Sequence, residues 1–188
     1  MIFDFFPATE YDGKPTVDVF HNYTSYFNQT ATEFILRTYL VTGSPRPELL
    51  SYQLYGDSNY HWLLLMANDI YDPFHDWVKD EEAVHQSAVQ KYQNIPGGVN
   101  GLAYHINSKE ERFHRLVEYP IGSSVWYDEG DSFHSHIQYT GTLIPVTNIE
   151  HELSVNEQKR VINIIAPSDL NRFIDSMKRI MEKVRDGN

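Results

Sequence analysis

Residues 37–77 read RTYLVTGSPRPELLSYQLYGDSNYHWLLLMANDIYDPFHDW, and this stretch decides the fold. It opens inside a segment, 33–42, whose β-branched and aromatic residues predict a strand. A helix is expected next, because Pro47 suits the first helical turn and Glu48 favours the dipole of that turn. Gly56 is a typical C-terminal cap for this helix.

A second helix is expected over about 59–68, where Asp57 or Ser58 can act as the N-terminal cap. Pro73 then restricts the residue before it to extended conformations, which predicts an extended return. The order is therefore strand, helix, helix and extended segment, and we expect residues 34–78 to form a compact, self-contained unit.

The same stretch contains no pairing of a nucleophile with a base and no spacing typical of metal ligands. The whole chain also lacks a glycine-rich phosphate loop and a Gly-x-Ser-x-Gly elbow. Dense aromatic and turn residues without catalytic groups indicate a docking module. We therefore expect a protein that is not an enzyme and has no cofactor or resident metal.

Three further segments surround residues 34–78. Residues 1–33 are interpreted as an N-terminal arm with a short helix over 18–30. Residues 79–155 are expected to contain one helix followed by antiparallel β hairpins, and residues 156–188 a strand and a helix. These patterns together predict the α+β class.

Local signals place the elements of these segments. Asp12 and Gly13 favour a turn in the arm, and Asp80 is a suitable N-cap for a helix that Pro96 interrupts. Alternating residues predict short strands at 102–106, 113–117, 125–127 and 137–139.

The C-terminal helix is the clearest prediction, because its apolar residues follow helical spacing after Ser168. The predicted apolar face consists of Leu170, Phe173, Ile174, Met177, Ile180, Met181 and Val184. Charged residues occupy the opposite face, which could contact a partner.

The formal net charge is −11. Residues 156–188 have seven basic and five acidic side chains, so residues 1–155 carry −13. An acidic body argues against nucleic acid as a partner, because phosphates would be repelled. The chain has no Cys, which excludes disulfides, and no apolar run long enough for membrane insertion. We expect a soluble protein made in a cytoplasm.

Two alternatives remain open from the residues alone. His134 and His136 could form half of a metal site if a third ligand, such as His114 or Asp131, lay nearby, although surface histidines are the better interpretation. Aromatic side chains could also form a platform for sugar stacking. The residues considered for that platform are Trp62, Trp77, Trp126, Tyr55, Tyr60 and Tyr71.

The chain resembles the gene-53 family of baseplate wedge proteins from T4-like contractile-tailed bacteriophages. The resemblance covers most of the chain and is most distinctive in two runs, Gly-Ser-Pro-Arg-Pro-Glu at 43–48 and Tyr-Asp-Pro at 71–73. Further matching runs occur in family order at 90–92, 104–105, 125–131, 164–169 and 179–183.

This resemblance implies a structural protein of the virion tail baseplate, present in the host cytoplasm before assembly. It implies binding to the inner core of each wedge, joining of neighbouring wedges around the hub, and contact with a sheath-initiator-like subunit. It also implies that residues 34–78 are LysM-like, since LysM modules have the order strand, helix, helix, strand.

Two departures from the family pattern limit this transfer. The chain is shorter between Tyr11 and Phe20, so contacts of the arm can differ. Residues 42–47 stand where a sugar-binding LysM module would have a Gly-Asp-Thr-like turn, so peptidoglycan is not an expected partner. A LysM-type peptidoglycan-binding module nevertheless remains the alternative function.

Five residues are predicted to contact other subunits: Arg46, Tyr71, Asp72, Pro73 and Trp77. Arginine can pair bidentately with a carboxylate, and Tyr and Trp are frequent anchors of protein interfaces. Asp72 and Pro73 could instead serve only to shape the turn.

Overall fold

The computed structural model describes residues 8–17 and 23–185. Its helices and antiparallel sheets confirm the predicted α+β class. The chain divides into two compact units. The first unit extends up to Val78 and resumes at Gln158, and the second comprises Lys79–Glu157 between them.

Short 3-10 turns at Ser58–Tyr60, Gly98–Asn100 and Pro167–Asp169 accompany the regular elements. In chain order, the strands and helices of the described residues are β1 (Ala8–Tyr11), β2 (Lys14–Val17), α1 (Tyr23–Ala31), β3 (Leu36–Leu40), α2 (Pro47–Tyr55), α3 (His61–Met66), α4 (Pro73–Asp76), α5 (Glu81–Tyr92), β4 (Leu102–Ile106), β5 (Arg112–Phe113), β6 (Leu116–Glu118), β7 (Val125–Asp128), β8 (Ile137–Thr140), β9 (Ile144–Thr147), α6 (Asn148–Gln158), β10 (Val161–Ile165) and α7 (Leu170–Arg185).

The antiparallel partner of β3 is β10, with Val161 opposite Leu40 and Ile165 opposite Leu36. The prediction of an extended return at Pro73 is therefore wrong, because α4 begins there. The physical reason is that Asp72 caps the helix and Pro73 occupies its first position, a combination that starts a helix. The order strand, helix, helix, strand is completed by a strand that follows the second unit in sequence.

Helix α2 begins and ends where the sequence predicts. Pro47 lies in its first turn with Glu48, and Gly56 adopts the left-handed conformation, φ 76°, at its end. The backbone N–H of Gly56 donates to the carbonyl of Tyr52, which satisfies one of the last carbonyls of the helix. Asp57 caps the following 3-10 turn by accepting from the N–H of Asn59.

The core of the first unit has two clusters of buried side chains. One joins α1, α3 and α7, and its ring contacts include Phe27 against Phe173, with centroids 5.2 Å apart. The other lies against β10, where Ile162 and Ile164 pack with Leu64 and Trp77. Five residues of the predicted apolar face of the C-terminal helix are buried: Leu170, Phe173, Ile174, Met177 and Met181. Ile180 is half-buried, and the side chain of Val184 lies outside the described part of the structure.

The N-terminal arm contains a hairpin, β1 with β2, closed by the predicted turn at Asp12 and Gly13. Both residues have positive φ, as the tight turn requires. Helix α1 begins at Tyr23. The first residues of the helix predicted over 18–30, up to 22, lie outside the described residues, as do residues 1–7 of the arm.

The second unit contains two three-stranded antiparallel sheets, with the orders β5-β4-β9 and β6-β7-β8. The expected hairpins are present, but the strand predicted at 113–117 is split between β5 and β6. Trp126 is buried with Leu116 and Leu143, and its indole N–H donates to the carbonyl of Gly141 at 2.8 Å.

The two ends of the second unit are bonded to each other. The buried side-chain amide of Asn156 accepts from the backbone N–H of Lys79 at 2.8 Å and donates to its carbonyl at 2.9 Å. Asp80 then caps α5 by accepting from the N–H of Ala83, as predicted. The chain therefore enters and leaves the second unit at neighbouring points.

Candidate interaction surface

The aromatic turn, defined as residues 71–76, is built on a capped helical turn. The carboxylate of Asp72 accepts from the backbone N–H groups of Phe74, at 3.0 Å, and His75, at 3.3 Å. Nδ1 of His75 lies 2.6 Å from Oδ2 of Asp72. These contacts, first of all the hydrogen bond with His75, lower the pKa of Asp72 below its ordinary value. The turn is thus fixed by its own polar groups.

Large side chains of this turn face solvent. Tyr71 is 78% exposed and Phe74 is 74% exposed, and Asp72 and Pro73 are exposed beside them. Phe74 was not singled out from the sequence, although its place directly after the Asp-Pro start of a short helix could have indicated an outward side chain. Exposed aromatic side chains on a fixed backbone are typical of interface anchors.

Trp77 is buried at 4% exposure, so in this structure its side chain is not accessible for the predicted contact with a partner. Its indole N–H donates to the carbonyl of Pro45 at 2.8 Å, and its ring joins the core cluster against β10. A hydrogen bond for the N–H allows the large ring to be buried without an unpaired polar group. Trp77 holds the end of the aromatic turn beside the loop that precedes α2.

Arg46 follows Pro45 in that loop and is exposed. It precedes α2 with an extended backbone, φ −62° and ψ 153°. Among the described residues, its guanidinium has no hydrogen-bond or ion-pair partner. The structure therefore brings Arg46 and the aromatic turn together through Trp77 and leaves the charge of Arg46 available.

A cavity of about 250 Å³ opens beside Tyr71 in the first unit. It lies between the start of α1, the buried side of α3 and the segment that follows α3. The described residues that line it are Thr24, Trp62, Leu65, Met66, Asp69, Ile70 and Tyr71. Its wall is mainly apolar, with the carboxylate of Asp69 as its acidic group.

The segment of the chain that supplies most of the cavity wall is acidic. Residues 47–78 contain five carboxylates, including Asp69, Asp72 and Asp76, and neither Lys nor Arg. Lys159 lies nearby, since its ammonium donates to the carbonyl of His75 at 2.6 Å. A surface of this kind attracts positively charged segments, most strongly at low ionic strength.

Asn68 fixes this region to the sheet and was missed by sequence reasoning. Its amide accepts from the backbone N–H of Asn163 at 2.7 Å and donates to the carbonyl of the same residue at 2.9 Å. It also donates to the carbonyl of Leu64 at 2.7 Å. The end of α3 is thereby bonded to the outer edge of β10.

Comparison with known proteins identifies the family. The family described as base plate wedge protein 53 matches residues 1–180. The chain belongs to this family. One relative, baseplate wedge protein gp53 of Enterobacteria phage T4, is 42% identical over 192 residues, which cover 97% of both chains.

As a base plate wedge protein of a T4-like phage, the protein is a structural component of the virion and is located in the tail baseplate. Its partners are other baseplate subunits. Within the described part of the chain, no helix combines the length and the apolar character that spanning a membrane requires.

The histidines considered as a half-site do not lie on a strand, because β8 begins only at Ile137. His134 stacks on Tyr119, with ring centroids 3.9 Å apart, and Nδ1 of His136 lies 3.8 Å from Oδ2 of Asp131. Across residues 8–17 and 23–185, no three His, Asp or Glu side chains form a group that could hold a metal ion.

The aromatic platform considered for sugar stacking is not assembled in the first unit. Trp62 and Trp77 are buried, and the hydroxyl of Tyr55 donates to the carbonyl of Ile165. The ring of Tyr60 packs edge-on against Tyr55, with centroids 6.4 Å apart. Tyr71 alone of these five has a largely exposed ring.

Proposed function

We propose that the protein is a non-enzymatic assembly component that binds the inner wedge core and joins adjacent wedges around the hub. In this proposal the aromatic turn, with Tyr71, Asp72, Pro73 and Phe74, forms the contact surface together with Arg46. Trp77 positions both parts from beneath without touching the partner.

The observation that carries the proposal is the exposure of two large rings, Tyr71 and Phe74, on a backbone that Asp72 and Trp77 fix in place. A backbone that is already fixed loses little conformational entropy when a partner covers its side chains. Arg46 adds a guanidinium that is unpaired within the described residues and that suits a carboxylate of the partner.

The test is co-sedimentation of the full-length protein with the other inner-wedge subunits of its own phage. Arg46→Ala and Phe74→Ser are compared with the unchanged protein, and Lys109→Ala, which removes an exposed cation from the turn after β4, is the control. Each variant is first checked for an unchanged circular dichroism spectrum and unfolding midpoint.

The proposal predicts that the unchanged protein and the control enter a ring-sized complex. We expect each of the two test variants to bind about tenfold more weakly while remaining folded. Loss of folding in Arg46→Ala would assign this residue to structure. A parallel tube with insoluble peptidoglycan tests the alternative, and retention there without entry into the ring would overturn the assembly function.

A further inference from the structure

We infer that the cavity beside Tyr71 accepts one large apolar side chain from a basic segment of another baseplate subunit. The inference rests on the proposed assembly function and specifies the chemistry of the partner. The size of the cavity and the charge of the carboxylate at its edge are different properties, and both favour the same kind of occupant.

The size and lining of the cavity define the apolar part of the occupant. A cavity of about 150 Å³ can already hold a benzene ring in a protein interior. The cavity here, at about 250 Å³, has room for the side chain of Phe, Leu or Met. Met66 in its wall is flexible and polarizable, which lets the wall adapt to differently shaped side chains.

Asp69 defines the charge next to the apolar part. The C-terminus of α3 is closed by two backbone bonds, from Ile70 to the carbonyl of Leu65 and from Asp69 to that of Met66. This pattern places Asp69 in the left-handed conformation, φ 53°, where Gly is usual and Asn is the best-tolerated alternative. Within the described residues, its exposed carboxylate has no partner.

The charge of the surroundings favours a cationic partner rather than a neutral one. Asp76 is a second exposed carboxylate without a partner among the described residues, whereas the carboxylate of Asp72 is occupied by its own helix. The nearby basic groups are Lys159, which is bonded to the carbonyl of His75, and Arg46, which precedes α2; neither is among the described residues that line the cavity. A Lys or Arg beside the inserted side chain would thus be paired with Asp69.

The experiment uses full-length protein and labelled peptides that tile the sequences of the other wedge subunits of its own phage. Thr24→Leu places a larger apolar side chain in the cavity from the partly exposed face of α1. Asp69→Asn removes the charge while keeping the tolerated backbone conformation. Glu10→Gln, which removes an exposed carboxylate from the N-terminal hairpin, is the matched control.

The bound peptides are expected to contain Phe, Leu or Met flanked by Lys or Arg. Thr24→Leu should weaken their binding by at least about tenfold, because the burial of the apolar side chain is lost. Asp69→Asn should weaken it about threefold, as for an exposed ion pair, and this difference should shrink at high salt. Both variants should unfold at the midpoint of the unchanged protein or higher, and Glu10→Gln should bind normally.

Selection of acidic or uncharged peptides would overturn the inference, as would unchanged binding by Thr24→Leu. Dimerisation that Thr24→Leu abolishes would instead assign the cavity to a second copy of this chain. Co-sedimentation of the same variants distinguishes a failure of this inference from a failure of the proposed function. If the unchanged protein enters the wedge complex and Thr24→Leu enters equally well, only this inference fails; if the unchanged protein does not enter, the proposed function fails.

Discussion

At the scale of single residues, the first unit depends on side chains whose polar atoms bond to distant backbone. Tyr55 bonds to Ile165 at 3.0 Å, Trp77 to Pro45, and Asn68 to Asn163. Sequence reasoning could recognise the aromatic residues as important but could not assign their partners. A partner far along the chain leaves no local spacing, which is why Trp77 was expected at the surface.

Tyr55→Phe should lower the free energy of unfolding of the full-length protein by about 1 kcal/mol, because the carbonyl of Ile165 loses its hydrogen bond. Burial raises the pKa of Tyr55 to about 12, which agrees with a phenol held in its neutral form. Tyr60→Phe is the matched control, since this hydroxyl has no bond within the described residues. Denaturant unfolding measures the stability of both variants. Equal stabilities would contradict a stabilising hydrogen bond from Tyr55 to the carbonyl of Ile165.

His105 should make the second unit sensitive to pH. Its Nδ1 is buried and has no hydrogen-bond partner in the described part of the chain, and its ring packs against Trp126 with centroids 4.7 Å apart. Burial lowers the pKa of His105 below the ordinary 6.5. The unfolded state therefore binds more protons, so stability is complete above pH 6.5 and falls as the pH drops towards the lowered pKa.

Between pH 7.5 and 5.5 this effect can reach about 1.4 kcal/mol. Carboxyl groups with lowered pKa values, such as Glu150, change the free energy of unfolding only below their ordinary pKa of 4.5. They therefore do not contribute to the change between pH 7.5 and 5.5. His105→Phe should flatten the pH dependence measured by denaturant unfolding, and exposed His85→Gln should leave it unchanged. An unchanged slope in His105→Phe would exclude His105 as its source.

At the scale of elements, the sequence predicted those whose signals are local. Helices α2 and α5 have recognisable caps, and α7 has a strong apolar stripe. Helix α4 was misread because Pro73 was taken as the mark of an extended segment, although Asp72 before it is a cap. Proline that directly follows an N-capping residue is favoured at the first position of a helix.

Elements with weak local signals were missed. Helix α6, which has few apolar residues and little periodicity, was not predicted, and neither was the four-residue strand β9. The pairing of β3 with β10 could not be predicted because it depends on the return of the chain after the whole second unit. The LysM-like character of residues 34–78 stays a prediction, and so do the boundaries of the four segments.

Asn68→Ala should test how α3 is attached to the sheet. Removing the amide breaks the bonds to both backbone groups of Asn163 and to the carbonyl of Leu64. We expect a loss of about 2 kcal/mol in the free energy of unfolding. Hydrogen exchange should also increase at the N–H of Asn163. Asn28→Ala, on the exposed face of α1, is the control, and a similar small effect in both variants would contradict this attachment.

At the scale of the whole molecule, the second unit is inserted into the sequence of the first. The hydrogen bonds between Lys79 and Asn156 hold the two ends of the insertion together. Strand β10 and helix α7, which follow the insertion in sequence, belong to the first unit. Domain insertions of this kind are tolerated where the two ends meet at the surface.

Replacing residues 79–157 by a linker of roughly six Gly and Ser residues should leave the first unit folded. Trp62 and Trp77 are then the remaining tryptophans. Their fluorescence should change from that of buried to that of exposed side chains in one cooperative unfolding transition. Residues 34–78 alone, which lack β10, are expected to be unfolded. A folded 34–78 fragment, or an unfolded linked variant, would contradict the insertion.

In the proposed function, the aromatic turn contacts another subunit in the assembled baseplate. The most direct measurement replaces Tyr71 by a photo-crosslinking phenylalanine derivative, assembles the baseplate, and identifies the crosslinked peptides by mass spectrometry. The same derivative at Tyr11, an exposed position of the N-terminal hairpin, is the comparison. We expect crosslinks from position 71 to another wedge subunit. An assembled baseplate in which position 71 crosslinks only to its own chain, or to nothing, would contradict it.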